Sequence, residues 1–207
     1  MKVLLINGSP NKNGCTFTAL SEVTGELEKN GIETEIFHLG KGPFYGCIAC
    51  LSCSKTDKCV FDGDPCNEIA EKAKKADGLV IGSPVYYAGA NGALCAVLDR
   101  VFYSSRDAFE RKPGAAVVSC RRGGAGSAFD RLNKYFTINS MPVVASQYWN
   151  SVHGNTPDEL RQDKEGLQVM RTLGRNMAWL LKSIEASKEL VAEPERERPR
   201  ARTNFIR

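Results

Sequence analysis

The sequence predicts one α/β domain, a five-stranded parallel sheet of order 2-1-3-4-5 sandwiched between two layers of helices. Two observations predict it. Short apolar runs, rich in branched residues and without alternation, occur at Val3–Ile6, Leu79–Ile81 and Ala115–Val118, the pattern of strands covered on both faces. Between them, apolar residues return every three or four positions, as crossover helices require. A third observation locates the chemistry. Each run ends in a loop of small and polar residues, and open sheets of this order bind ligands beyond the carboxyl ends of their strands, where strands one and three diverge.

The first strand, Val3-Leu4-Leu5-Ile6, is stopped by Asn7-Gly8-Ser9-Pro10. From Asn11 to Thr16 the residues are small or polar, and Gly14 is free to take a positive φ. Backbone N–H groups can therefore converge on an anion where a helix begins. Ser9, Thr16 and Thr18 add hydroxyls. No GK[ST] occurs and the glycines are too few for a dinucleotide fingerprint. A phosphate monoester such as that of flavin mononucleotide (FMN) needs no lysine, and an ordinary strand-to-helix turn with a Ser or Thr cap fits the same residues. The helix that follows places Leu20, Val23 and Leu27 on one face and ends near Asn30-Gly31.

Glu33 to Leu39 mixes polar and apolar positions, as an edge strand does, with His38 at its end and nothing nearby to complete a dyad. Then Cys47, Cys50, Cys53 and Cys59 fall as C-x2-C-x2-C-x5-C. The first three match the spacing of bacterial ferredoxins, whereas structural zinc takes its cysteines as two separated pairs. An iron-sulfur cluster, a zinc ion and a metal-free thiol-rich loop are the three readings. Lys55 and Lys58 would favour thiolates. Cys66, Cys95 and Cys120 lack the spacing and read as small buried or cleft-side residues, and Cys15 counts more for its N–H than its thiol.

A crossover helix runs from about Pro65 to Ala76, with Ile69 and Ala73 inward, and the third strand is Gly78–Gly82. In the loop Ser83–Gly92, Pro84 adds stiffness, Tyr86 and Tyr87 offer flat surface, and Gly89 and Gly92 let backbone approach closely, as a planar ring lying on a loop requires. Tyrosines after a strand also serve as plain packing residues. The next helix is marked by Leu94, Val97, Leu98, Val101 and Phe102, which leaves Asp99 and Arg100 toward solvent or a partner. A fourth strand, Ala115–Cys120, ends in Arg121-Arg122-Gly123-Gly124. Its glycines suit contact with a ring, and its arginines suit a phosphate, a pyrimidine edge or solvent.

A helix over Phe129–Phe136 leads to the expected fifth strand, Met141–Ala145, and an aromatic loop, Gln147–Gly154, that can cover a ligand, pack on a second subunit, or hold Trp149 as a simple core-edge residue. Thr156-Pro157-Asp158-Glu159 matches a capping box with proline at the first helical position. It opens a final helix through Ile184 that Gly166 and Gly174 would bend. Residues 1–187 form the expected domain. From Lys188 to Arg207 the chain is a charged tail whose apolar tip, Phe205-Ile206, is expected to be free or to dock on the body or another subunit.

A length of 207 residues with 42% hydrophobic content suits a single well-buried domain, and a net charge of +4 makes no electrostatic case for nucleic acid. No stretch is long enough to span a bilayer, and the sequence opens on a core strand instead of a signal segment. Eight cysteines in a reducing compartment read as ligands or reactive thiols. The expectation is a cytoplasmic protein that meets neither membrane nor nucleic acid.

GSPNKNGCT, SPVYYAGANG and CRRGG resemble the flavin-binding loops of the NADPH-dependent FMN reductases of the flavodoxin superfamily, and CIACLSCSKTDKC resembles the cluster motif of their iron-sulfur flavoprotein branch. The resemblance runs from Met1 to Ser187 and implies a flavodoxin-like fold. It implies a phosphate site at Ser9, Asn11, Asn13, Cys15, Thr16 and Thr18, a ring site along Pro84, Val85, Tyr86, Tyr87 and Gly89, and a third contact at Ser119, Arg121 and Gly123. Family members assemble as homodimers or homotetramers. The implied activity takes hydride from NADPH or NADH onto FMN and passes electrons to a quinone, a flavin, a metal ion or a protein. With a 4Fe-4S cluster on Cys47, Cys50, Cys53 and Cys59 the chain would instead be an electron carrier. No residue is expected to act as general acid or base. From another class, a regulatory module that binds a nucleotide without turnover fits the same loops.

Overall fold

The computed structural model describes residues 1–195 together with Glu197, Ala201, Thr203 and Phe205. Six strands form one sheet: Lys2–Asn7 (β1), Glu33–His38 (β2), Gly78–Tyr86 (β3), Gly89–Ala90 (β4), Gly114–Cys120 (β5) and Ser151–His153 (β6). The parallel strands run β2-β1-β3-β5-β6, and β4 is a short antiparallel return on β3. The expected order thus holds, with one hairpin strand added. The helices are Cys15–Lys29 (α1), Cys53–Thr56 (α2), Cys66–Lys75 (α3), Gly92–Ser104 (α4), Ala125–Ile138 (α5), Pro157–Leu160 (α6) and Lys164–Ser187 (α7).

Successive strand residues enter opposite layers. Val3 and Leu5 pack with α1 and α7, whereas Leu4 and Ile6 pack with α3, α4 and α5. Both faces are therefore apolar, which is why these runs show no alternation. The alanines of β5 leave room for helices to close in. At Gly114 even a methyl would stand 2.6 Å from the Phe136 ring.

Three expectations need correction. Met141–Ala145 is not the fifth strand: only Val143 bridges to Gly114, and the paired strand is Ser151–His153 against Val118–Cys120. The fifth strand is interrupted, and its hydrogen bonds resume at Asn150, whose carbonyl accepts from Val118 N–H. The final helix is likewise two pieces. Asp163 ends the turn of α6 and caps α7, accepting from Gly166 N–H at 2.9 Å. Within α7, Gly174 makes a close contact, since a Cβ there would stand 2.8 Å from the Val23 carbonyl of α1. Arg100, expected at the surface, is buried. Its helix packs against α3 on one flank as well as on the sheet, so the charged side chain is enclosed.

After α7 the chain turns back. Arg111 pairs with Glu193 and donates to the Pro194 carbonyl at 2.7 Å. Phe205 is exposed, and Ile206 lies outside the described residues. Among the described residues no helix is long and apolar enough to cross a membrane.

Candidate functional site

The β1–α1 loop is held in shape by its own side chains. Buried Asn7 accepts from Ser9 N–H at 3.1 Å and donates to the Lys12 carbonyl at 3.0 Å, and the Ser9 hydroxyl accepts from Asn11 N–H at 3.1 Å. Gly14 is the helix N-cap with φ −84°, so the expected positive φ is absent, and no side chain caps α1. Glycine matters here for closeness: a Cβ would stand 3.1 Å from that of Asn11. The first N–H groups of a fifteen-residue helix thus open toward the loop, the arrangement that favours an anion.

Thr16 reaches across to β5, its hydroxyl 2.8 Å from that of Ser119, and both are buried. Thr18 turns away. Its hydroxyl donates to the Gly14 carbonyl, where it steadies the helix start and does not line the cleft.

The second loop is a hairpin. Tyr86 pairs with Gly89, and the two residues between, Tyr87 and Ala88, have φ of 48° and 58°, a primed turn that matches the twist of the strands it joins. Tyr86 is half-exposed, whereas Tyr87 projects fully into solvent. Gly124 of the third loop braces this hairpin. Its φ is +88°, and a Cβ would stand 2.6 Å from Ala88 Cα, so two constraints call for glycine. Buried Asn91 ties the first two loops together, donating to the Gly8 carbonyl at 2.7 Å and from its N–H to the Ser83 hydroxyl at 2.9 Å, while it caps α4.

These pieces line one open cleft of about 740 Å³ at the carboxyl edge of the sheet, within the size range of small-ligand sites. Of the expected residues, Ser9, Asn11, Asn13, Cys15, Thr16, Pro84, Val85, Tyr86, Ser119 and Arg121 line it together. Thr18, Tyr87, Gly89 and Gly123 lie outside that lining. Gly89 instead closes the hairpin, and Gly123 is exposed, with nothing within 4 Å of where a Cβ would stand. Residues after β2 and β6 also line the cleft, notably His38, Lys41, Gly154 and Asn155. The rule applied to loops one, three and four extends to these two strand ends. Burial pushes the Cys15 and Cys120 thiols above the usual thiol range, which keeps these two thiols protonated.

The second cysteine-rich region lies between β2 and α3, apart from the cleft lining. Cys47, Cys50, Cys53 and Cys59 all border one small pocket of about 30 Å³, otherwise lined mainly by apolar side chains together with Arg100. Left-handed backbone at Ala49 and Leu51, with φ of 54° and 59°, coils the chain between the first three cysteines, a conformation bulky residues rarely adopt. Asn67 fixes Cys59 by accepting from its N–H at 2.9 Å and donating to its carbonyl at 3.0 Å. Donors from the Ser52 backbone and hydroxyl bring the Cys50 thiol below its ordinary value, a role the sequence had pointed to Lys55 and Lys58 for. Burial, followed by the neighbouring Cys50, Cys47 and Cys59, pushes Cys53 up. Among the described residues no three His, Cys, Asp or Glu side chains are placed to hold a single metal ion.

Residues 1–156 match the NADPH-dependent FMN reductase family. An iron-sulfur flavoprotein of Methanocaldococcus jannaschii is 34% identical over 89% of this chain and all of its own length. An iron-sulfur flavoprotein of Methanosarcina thermophila is 28% identical over 91% of this chain and all of its own. Among solved structures, a flavodoxin from the domain Archaea superposes with a TM-score of 0.61 at 15% identity, covering 88% of this chain and 99% of that one; this likeness shows the flavodoxin-like fold. The match over most of the chain, and a relative that shares a third of its residues from end to end, place this chain in the NADPH-dependent FMN reductase family.

Proposed function

We propose that the cleft binds FMN and that the protein takes hydride from NADPH or NADH and delivers electrons to a quinone, a free flavin, a metal ion or a protein acceptor. The observation that carries this reading is the single cleft into which an uncapped helix N-terminus and three strand-end loops open at the β1–β3 divergence. The residues fit the group. N–H groups at the start of α1, with the hydroxyls of Ser9 and Thr16, would take the phosphate, and the Pro84–Tyr86 segment and Ser119 would border the ring. Bound FMN would supply the hydride-accepting and electron-releasing chemistry. The chain's own work is to place it, to keep the Cys15 and Cys120 thiols protonated beside it, and to present Lys12, Lys41 and Arg121 at the rim to the phosphates of a nicotinamide dinucleotide. No side chain is assigned a proton-transfer role.

A second reading is favoured by the four cysteines that border one pocket: an electron-carrying iron-sulfur flavoprotein, as the relatives above are named. The donor set fits a cluster better than a single zinc ion, because thiolates that each take a different iron need not converge on one point. A cluster held there would add one-electron exchange. Exposed Tyr148, Trp149 and Trp179 support a homodimer or homotetramer built on apolar patches, and eight free thiols suit a reducing, cytoplasmic setting.

The test is an absorption spectrum of protein purified without oxygen, with iron, zinc and acid-labile sulfide assayed on the same sample, followed by NADPH and NADH oxidation with a quinone. Flavin bands with turnover support the reductase reading. Matching iron and sulfide on top of them support the electron carrier. Failure to bind added FMN sinks both, and binding without turnover leaves the regulatory module.

A further inference from the structure

Arg100 is the charged group that the sequence misplaced, and its surroundings give it a job. Only 2% of its surface is exposed, and the Asp64 carboxylate with which it pairs is 1% exposed. Burying an ion pair costs several kcal/mol of desolvation that mutual attraction seldom more than offsets, so stability alone is a poor reason for it.

The guanidinium is oriented on three sides. Nε–H donates to the Ala96 carbonyl at 3.4 Å, one Nη reaches Asp64, and the plane lies over the Phe61 ring at 5.8 Å. What remains is Nη1–H, which donates to Cys59 Sγ at 3.4 Å. Asp64 is itself anchored, accepting from Cys66 N–H at 3.1 Å and Tyr45 N–H at 3.2 Å. The one carboxylate therefore ties both flanks of the thiol loop and aims the arginine at one sulfur.

We propose that Arg100, oriented by Asp64, is a positioning residue for Cys59 and raises the reduction potential of the iron-sulfur cluster by donating a charge-assisted hydrogen bond to that sulfur. The inference rests on the cluster reading above. A donor to a ligand sulfur draws electron density from it and favours the reduced cluster. Cys59 would then differ from Cys47 and Cys50, which are exposed.

The experiment is an EPR-monitored redox titration of anaerobically prepared protein, with iron, sulfide and FMN measured on each sample. The double variant Arg100→Gln with Asp64→Asn removes the guanidinium donor without stranding a buried carboxylate. Its cluster potential is expected to fall while its FMN potential and FMN content stay in place, a split that a merely structural role would not produce. An unmoved cluster potential would overturn the proposal. Should the double variant not fold or not assemble its cluster, the unaltered protein decides. Grown with nitrogen-15 in the guanidinium of arginine, it is expected to show a nitrogen coupling to the reduced cluster in pulsed EPR. Among the described residues Arg100 is the only arginine bordering that pocket, so absence of the coupling overturns the proposal too. If iron and sulfide are missing from the unaltered protein, the cluster reading itself fails, and this inference with it.

Discussion

Gly14 shows how a residue can be required for a reason other than the one its type first offers. Its φ is −84°, open to any residue, but the nearest side-chain carbon, Asn11 Cβ, leaves only 3.1 Å for a Cβ. Gly14→Val should therefore push Asn11 out of the rim and weaken FMN binding by about tenfold, ~1.4 kcal/mol, in a fluorescence titration; an unchanged affinity would count against this loop as the phosphate site. At the far end of the sheet, Glu35 of β2 is held below its ordinary carboxyl value by Lys72 first and Lys2 second. A depressed carboxyl stabilises the fold above its unfolded value near 4.5 and loses that contribution as pH falls through the folded one. The unfolding midpoint of Glu35→Gln should lie slightly below that of the parent at pH 6, by less than about 1 kcal/mol since the pair is partly exposed, and the gap should close at lower pH. A gap that widens on acidification would reverse the assigned sign. Arg100 was legible to neither pattern nor composition: the helical stripe of Leu94, Val97 and Val101 assigns it to a flank, and only the placement of Asp64, thirty-six residues earlier, encloses that flank.

Between elements, glycine sets a close approach of α7 to α1. A methyl on Gly174 would meet the Glu26 Cβ at 2.7 Å and the Val23 carbonyl at 2.8 Å, and backbone cannot swing aside as a side chain can. Gly174→Ala should cost roughly 1–3 kcal/mol by denaturant unfolding. Gly25, on the same helix α1 with nothing within 4 Å of its Cβ position, is the control: Gly25→Ala should stabilise by about 0.5–1 kcal/mol. Equal effects at the two sites would mean that helix propensity, not packing, governs both. The strands and crossover helices were readable because burial on both sheet faces and on one helix face writes distinct periods into the chain. The fifth strand was not. Met141–Ala145 has the apolar composition of a strand, whereas Ser151–His153 is too short to show a period. What fixes the latter is register against β5, a long-range property. The break between α6 and α7 was hidden for a similar reason, since Leu160 and Leu167 stay on one apolar layer across it while Asp163 starts the helix anew.

For the whole molecule, the cleft was legible in its three glycine-rich loops but not in the contributions from His38, Lys41 and Gly154, which belong to it only because β2 and β6 end at the same edge. A ligand that spans so many separate elements should stabilise them jointly. FMN at one hundred times its dissociation constant is expected to add about 2.7 kcal/mol to the unfolding free energy, visible as a raised Tm in calorimetry, and no shift at saturation would deny specific binding to the native state. The connection that leaves β2 has one more consequence. Gly40 and Lys41 sit on the cleft wall, and a few residues on, Tyr45 stacks on Phe61 at 4.4 Å and is pinned by Asp64, so the segment between is a closed handle hung from the cleft's own rim. Cys47 and Cys50 lie on the outside of that handle, open to air. Ageing of the protein on the bench should thus begin there and travel inward, with loss of yellow colour following the first thiol damage instead of preceding it.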